Sequence, residues 1–388
     1  MSIVGIIAEF NPLHTGHEYL LREAKKHGTV VCVLSGNFVQ RGDTAIVEKR
    51  VRTQMALKNG ADIVLELPTL WSMSTAQNFA LGGVSVLKAA GCDKIIFGSE
   101  CGDAQKLIKT AEILASPKFS EQLAKELKKG VAFAAARQKA AENSGAQKDI
   151  LSKPNNNLAI EYITAAKSLD YNPEFLTVQR KGAAHDSGEI GEFVSASLLR
   201  EKLYKGNFEF CKQYMSEASF SLLNEDNISN INRLETAILA TLRTKTLEEL
   251  AMLPDMSEGF ENKLFASIKT ATSLEELYET VKVKRYTLAR VRRAVLSAFL
   301  GLDNTFFMKS VPYIRVLGFN KTGEKLLKTE IKKSKLPIIV RVADIKKLDK
   351  KSQKVFETEA RATDLFALST KVSLPCGLEY TAKLRKEN

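Results

Sequence analysis

Short apolar runs alternate with longer amphipathic stretches over the first half of the chain. Period-two or fully apolar runs at residues 3–8, 30–34, 63–67, 94–97 and 175–178 predict strands. Between them, residues 17–27, 48–59, 75–90 and 103–114 carry apolar positions three or four apart, the spacing of a helix with one buried face. Regular strand–helix alternation predicts an α/β class, specifically a Rossmann-like parallel sheet. Residues 119–150, rich in Ala, Lys and Glu, read as helix inserted before the last strand. After about residue 205 the helical period takes over, as in 233–242, 261–270 and 287–300. Beyond about 310 it is mixed, strand-like at 337–342 and helical at 352–365. The pattern therefore divides the chain into a parallel α/β unit (1–205), a mostly helical region (206–310) and a small mixed α/β tail (311–388).

An open parallel sheet binds ligands outside the carboxyl ends of its strands. The predicted strand ends are unusually polar. The first runs into Glu9-Phe10-Asn11-Pro12-Leu13-His14-Thr15-Gly16-His17, and the second into Ser35-Gly36-Asn37-Phe38-Val39-Gln40-Arg41-Gly42-Asp43. The third ends at Glu66-Leu67-Pro68, the fourth at Phe97-Gly98-Ser99-Glu100-Cys101-Gly102, and the fifth at Gln179-Arg180-Lys181-Gly182-Ala183-Ala184-His185-Asp186. Thr15 followed by Glu18 reads as a capping box, which starts a helix at Gly16. Backbone N–H groups and the helix dipole then favour an anion there. The chain has four histidines, and two of them, His14 and His17, sit three apart at this helix start, close enough to reach one polyphosphate. An isolated pair at that spacing is more often a cap and a packing ring. The strand upstream, the Asn-Pro turn and Gly16 favour the ligand reading. A second helix start, Phe193-Val194-Ser195-Ala196-Ser197-Leu198-Leu199-Arg200, lets Ser195 or Ser197 cap while Arg200 projects toward β- and γ-phosphates.

Composition narrows the partners. A net charge of +12 over 388 residues favours a polyanion, nucleic acid before membrane surface. Lysine and arginine concentrate in 282–293 and again in 321–354, where they alternate with acids and read as ordinary surface. The five cysteines are scattered without a CxxC pair, so neither a zinc site nor a disulfide framework is expected. No run reaches the length of a membrane span and no basic leader precedes the first apolar run, so a cytoplasmic protein is expected.

The His14-Thr15-Gly16-His17 turn with Ser197 and Arg200 resembles the HxGH nucleotidyltransferase superfamily, whose members adenylylate substrates by attack on the α-phosphate of ATP. The further runs EFNPLHTGH, SGNFVQRGD, ADIVLELP, FGSE, Pro154-Asn155-Asn156 and RKGAAHD are similar to the bacterial tRNA(Met) cytidine acetate ligases. That resemblance implies ATP, with Mg2+ shared among its phosphates, and acetate activated as acetyl-adenylate. The acetyl group would then pass to N4 of the wobble cytidine of elongator tRNA(Met), without acetyl-CoA. It implies His14, His17, Ser197 and Arg200 as catalytic residues. For ATP binding it implies Ile7, Ala8, Glu9, Phe10, Asn11, Pro12, Leu13, Thr15, Gly16, Glu18, Tyr19 and Leu20 around the histidines, with Gly98, Gly102, Asn155 and Arg180. Asn157 departs from the pattern, where an aliphatic residue is expected. Arg41 is a candidate for tRNA phosphate. A basic helix over 282–293, with Lys284, Arg285, Arg292 and Arg293 facing phosphates and Tyr286 stacking on a base, is the expected RNA element. Glu9, Asp43 and Asp186 are the carboxylates at hand for the amine proton, and nothing in the sequence ranks them. The rival readings are a small-molecule adenylyltransferase of cofactor biosynthesis, which leaves the basic second half unexplained, and an idle RNA-binding protein, which leaves the intact histidines unexplained.

Overall fold

The computed structural model describes residues 2–131, 133–180, 194–257, 259–283, 286–304, 308 and 310–387. Five strands form a parallel core: β1 (Ile3–Ala8), β2 (Thr29–Ser35), then β5 (Ile63–Leu67), β6 (Lys94–Ser99) and β7 (Glu174–Gln179). Between β2 and β5 a two-residue hairpin, β3 (Phe38–Val39) and β4 (Asp43–Thr44), projects from the end of β2. The core order is β5-β2-β1-β6-β7, so the chain direction across the sheet reverses between β1 and β6. This is the Rossmann-like parallel sheet expected from the alternation. A crevice at the carboxyl ends of β1 and β6 follows from that order.

The strands form because both faces are covered. Every residue of β2 is buried. Its side chains alternate, Val31 and Val33 toward one apolar cluster and Val30, Cys32 and Leu34 toward the other. Each fully buried aliphatic side chain contributes about 1.5–3 kcal/mol. One face is packed by helices Ala76–Ala89 and Pro154–Ser168 through Phe79, Val84, Leu87, Ile160 and Ile163. The other is packed by helices Thr15–Lys25, Lys49–Lys58 and Ala196–Tyr204 through Leu21, Met55, Leu199 and Leu203. The 119–150 stretch becomes two helices, Pro117–Leu127 and Phe133–Asn143.

The region after 205 is helical as expected, ending in helix Leu288–Leu300. The mixed tail does more than follow it. Strand β8 (Ile314–Phe319) pairs antiparallel with β5, β9 (Ile338–Ile339) pairs with β8, and β10 (Arg385–Lys386) continues the sheet beyond β8. The change of pattern near 310 is real, but the strand behind it returns to the first sheet. β8 is buried along its whole length, which is why its run lacks the alternation of an edge strand. Helix Lys350–Phe366 then packs its Val355, Phe356 and Phe366 into the same apolar cluster. Among the described residues no helix is long and apolar enough to cross a membrane.

Candidate active site

A cavity of about 630 Å³ opens at the crevice between β1 and β6. Ile7 and Ala8 from β1, Phe97 and Gly98 from β6 and Val178 and Gln179 from β7 form its floor. Phe79, Leu158 and Tyr162 give it an apolar wall. The polar side carries Glu9, Asn11, His14, His17, Gln40, Arg41, Asn155, Arg180, Ser197 and Arg200. Phe10 precedes the turn with a left-handed backbone (φ 45°), a conformation costly for a non-glycine residue and held by its complete burial.

The helix start differs in detail from the expectation. The cap is His14, not Thr15. His14 has an extended backbone, its Nδ1 accepts the Gly16 N–H at 3.0 Å, and the His17 ring reaches back to the His14 N–H at 3.5 Å. The Thr15 hydroxyl is buried and, among the described residues, makes no hydrogen bond. An imidazole placed as cap satisfies the orphan donor that a threonine would have taken. With Nδ1 accepting, the neutral His14 ring carries its proton on Nε2, a donor available to a phosphate. The two rings lie 4.0 Å apart, tilted by 36°. Burial pushes both imidazoles down, His14 well below its ordinary value and His17 to about 3, aided at His14 by His17 itself and at both by the Arg180 guanidinium. Both rings are therefore neutral in the free protein.

Ser195 caps helix Ala196–Tyr204 by accepting the Leu198 N–H at 3.2 Å. That leaves Ser197 on the cavity wall, where its Oγ accepts from Arg200 Nη2 at 3.3 Å. Arg200 also donates to the Asn11 carbonyl at 2.7 Å, which ties the two helix starts together. On the opposite side, Glu100 caps helix Pro154–Ser168. It accepts from the Asn155 N–H and Nδ2 (3.2 and 2.7 Å) and from the Asn156 N–H (2.8 Å). Asn156 Oδ1 in turn accepts from the Glu100 and Cys101 N–H groups. The unexpected Asn157 donates to the Leu151 carbonyl and accepts from Arg137 at 3.2 Å.

Of the residues expected around ATP, Ile7, Ala8, Glu9, Phe10, Asn11, His14, Gly16, His17, Tyr19, Leu20, Gly98, Asn155 and Arg180 line the cavity. Pro12, Leu13, Thr15, Glu18 and Gly102 do not. Gly102 sits behind the wall, where a left-handed turn (φ 63°) and the nearby Gln179 side chain leave no room for a Cβ. Lys284, Arg285 and Lys181 through Asp186 lie outside the described residues. Of the expected basic helix over 282–293, only the part from Leu288 is helical among the described residues, and Val283 and Tyr286 pair across a β-bridge before it. Tyr286 is buried with its ring 4.7 Å from that of Phe260, so it offers no face to a base. Arg293 pairs with Asp255 at 2.9 Å and donates to the Gln40 carbonyl at 3.4 Å, while Arg292 lies over the Tyr278 ring.

Three residues at the site had no role in the sequence reading. Arg52 is wholly buried, and its guanidinium donates to the carbonyls of Val47, Glu9, Ser35 and Gly36, gathering the ends of β1 and β2. An arginine set among Val51, Met55 and Ala56 was its only signal. Gln40 donates its backbone N–H to the Glu9 carboxylate at 2.8 Å. Glu100 lies in the polar loop after β6, and only its cap on helix Pro154–Ser168 gives it a role.

A family model described as HIGH Nucleotidyl Transferase matches residues 1–376. The tRNA(Met) cytidine acetate ligase of Thermoanaerobacter sp. (strain X514) is 40% identical over 100% of both chains. The protein of that name from Clostridium perfringens (strain ATCC 13124) is 37% identical over 95% of both. Crystal structures of Thermotoga maritima TmcAL superpose on the chain at 30% identity, covering 100% of it and 99% of the other. The apo form gives a TM-score of 0.93, and the form bound with alpha-thio ATP gives 0.92. The cavity at the strand reversal, the histidine-capped helix and full-length similarity agree: this chain belongs to the tRNA(Met) cytidine acetate ligases, within the HIGH nucleotidyl transferase family.

Proposed function

We propose that the protein is a cytoplasmic ligase that activates acetate with ATP and passes the acetyl group to N4 of the wobble cytidine of elongator tRNA(Met), releasing AMP and pyrophosphate. The observation that carries this reading is the convergence of His14, His17, Ser197 and Arg200 on one cavity wall opposite an apolar wall, in a chain similar end to end to ligases of that name. ATP suits the cavity. Gly98 allows close approach of the nucleoside, with Asn155 and Arg180 beside it, and neutral histidine donors with Arg200 meet the phosphates.

Acetate is already a nucleophile. Its oxygen attacks the α-phosphorus, the bond to the β,γ-pyrophosphate breaks, and acetyl-adenylate forms with no covalent protein intermediate. The protein's part is alignment and neutralisation of the charge that develops on leaving pyrophosphate. Mg2+ is a further part of the proposal. No cluster of three His, Cys, Asp or Glu side chains suited to a metal occurs among the described residues, so an ion would be held by the phosphates with few protein ligands. When bound, it would neutralise phosphate charge. Arg41 at the cavity, within electrostatic reach of Glu9, and Arg292, within reach of Asp43, are the cations proposed to meet tRNA phosphate. A contribution from Arg293, and from Lys284 and Arg285, belongs to the same proposal. RNA is favoured over DNA because the acceptor is an anticodon base.

The test is incubation with ATP, isotopically labelled acetate and elongator tRNA(Met), then nucleoside analysis of the tRNA. Labelled N4-acetylcytidine at the wobble position is expected. ATP–pyrophosphate exchange driven by a pantetheine or nicotinamide phosphate instead of acetate would overturn the reading.

A further inference from the structure

The transfer of acetyl to cytosine leaves a proton to be removed, and three carboxylates were available to remove it. Asp186 lies outside the described residues. Asp43 does not line the cavity, and its Oδ1 is engaged by the Thr44 N–H at 2.8 Å. Glu9 does line it, directly after β1 and two residues before the Asn11 carbonyl that holds Arg200. One carboxylate oxygen, Oε1, accepts the Gln40 N–H, and among the described residues no hydrogen bond reaches Oε2. A carboxylate with one oxygen fixed by backbone and the other presented to a substrate cavity has the geometry of a proton acceptor.

The surroundings of Glu9 fit an RNA-facing position. Its Oε1 partner Gln40 belongs to the hairpin loop, and that loop reaches the basic helix Leu288–Leu300. The Gln40 carbonyl accepts from Arg293, and Gly42 (φ 72°) lies so close to the backbone of Arg292 and Arg293 that a Cβ there would collide. Glu9 thus sits between the phosphate-binding wall and the side of the cavity bordered by the cationic helix. Burial raises its carboxyl above the ordinary range, against the Gln40 N–H and the charges of Arg200, Arg52 and Arg41. That raises its basicity toward the working pH.

We infer that Glu9 is the general base of the acetyl-transfer step, taking a proton from the cytosine N4 amine through Oε2 while Gln40 positions it through Oε1. In that step the N4 lone pair forms a bond to the acyl carbon and the acyl–phosphate oxygen bond breaks. AMP leaves with the electron pair, and one N4 proton ends on the Glu9 carboxylate. No proton moves in the preceding attack of acetate on ATP, so the two half-reactions separate the role.

This inference rests on the ligase reading above. The experiment mixes pre-formed acetyl-adenylate with elongator tRNA(Met) under single-turnover conditions and measures acetylcytidine. Acetate-dependent ATP–pyrophosphate exchange is measured in parallel, for the wild type and Glu9→Gln. The amide keeps an acceptor for Gln40 and the same shape. Transfer by Glu9→Gln is expected to fall by about 100-fold or more relative to any change in exchange. The wild-type transfer rate is expected to rise with pH as the carboxyl loses its proton, and this rising limb should vanish in the variant. Equal transfer rates, or exchange and transfer falling in proportion, would overturn the assignment. A wild-type protein that leaves acetyl-adenylate and tRNA unreacted would overturn the ligase reading and the assignment with it.

Discussion

At the scale of single residues, the site depends on imidazoles kept neutral. His14 must accept the Gly16 N–H through Nδ1, which only an unprotonated nitrogen can do. Burial with Arg180 nearby keeps His17 neutral as well, its value near 3. Two fixed charges on these rings would raise ground-state phosphate affinity, whereas neutral donors respond most to charge that appears as pyrophosphate leaves. His17→Ala should therefore cut acetate-dependent ATP–pyrophosphate exchange by about 100- to 1000-fold, the usual cost of one pre-aligned donor. Filter binding of tRNA should change little, because His17 lines the proposed ATP cavity rather than the proposed RNA contacts. Equal loss of both would mean that the ring holds the fold of the turn. The motif made His14 and His17 legible as a pair, but which residue capped the helix was not. A capping box read from Thr15 and Glu18 follows residue type, and a buried histidine with extended backbone is a rarer cap that nothing local announces.

At the scale of elements, the parallel core was legible because its central strands β2 and β5 are buried throughout, while the half-exposed edge strand β7 still reads as an apolar run. The 3–8 and 63–67 runs match β1 and β5 residue for residue. The return of β8 to that sheet was not, since pairing across some 250 residues of chain leaves no local period. What ties it in is a buried charge cluster. Lys49, wholly buried at the start of its helix, is held by Glu66 of β5, Glu359 of helix Lys350–Phe366 and Glu379, and Arg315 of β8 completes the group. Asn37 of the cavity loop joins the same neighbourhood, accepting the Lys49 N–H at 2.8 Å and donating to Thr363 at 3.1 Å. Removing one partner of such a group leaves charge unpaired in the interior, so Lys49→Met should cost about 3–5 kcal/mol in urea unfolding. The pH dependence has a definite sign. Burial, then the neighbouring carboxylates against Lys49, raises Glu66 to about 7, above its unfolded value of 4.5. The proton it holds when folded therefore favours the fold at low pH, and the benefit fades as pH rises through 7. Without Lys49 that trend steepens, and the loss should be larger at pH 8 than at pH 5. A loss independent of pH would count against an electrostatic lock.

At the scale of the whole molecule, the +12 charge is not spread as the sequence suggested. Two cations of the 282–293 cluster, Arg290 and Arg293, are engaged within the protein. Arg293 is bound to Asp255 and Gln40, Arg290 donates to the Asp255 carbonyl, and Tyr286 is core. A run of basic residues shows its charge in the sequence and hides which of its cations are paired within the fold. The helix nonetheless borders the hairpin loop at the cavity, through Gly42 against the backbone of Arg292 and Arg293. Arg292, half-buried over the Tyr278 ring, acts electrostatically on Asp43 together with Arg200. If it contacts one tRNA phosphate, Arg292→Gln should weaken binding and reduce the slope of log K against log salt by about 1. Acetate-dependent exchange without RNA should be kept. Arg293→Gln should behave differently, because it releases the Gln40 carbonyl, and so should lower acetyl transfer more than it lowers the salt slope. Equal slopes for wild type and Arg292→Gln would remove this helix from the RNA interface and leave Arg41 as the nearest proposed phosphate contact.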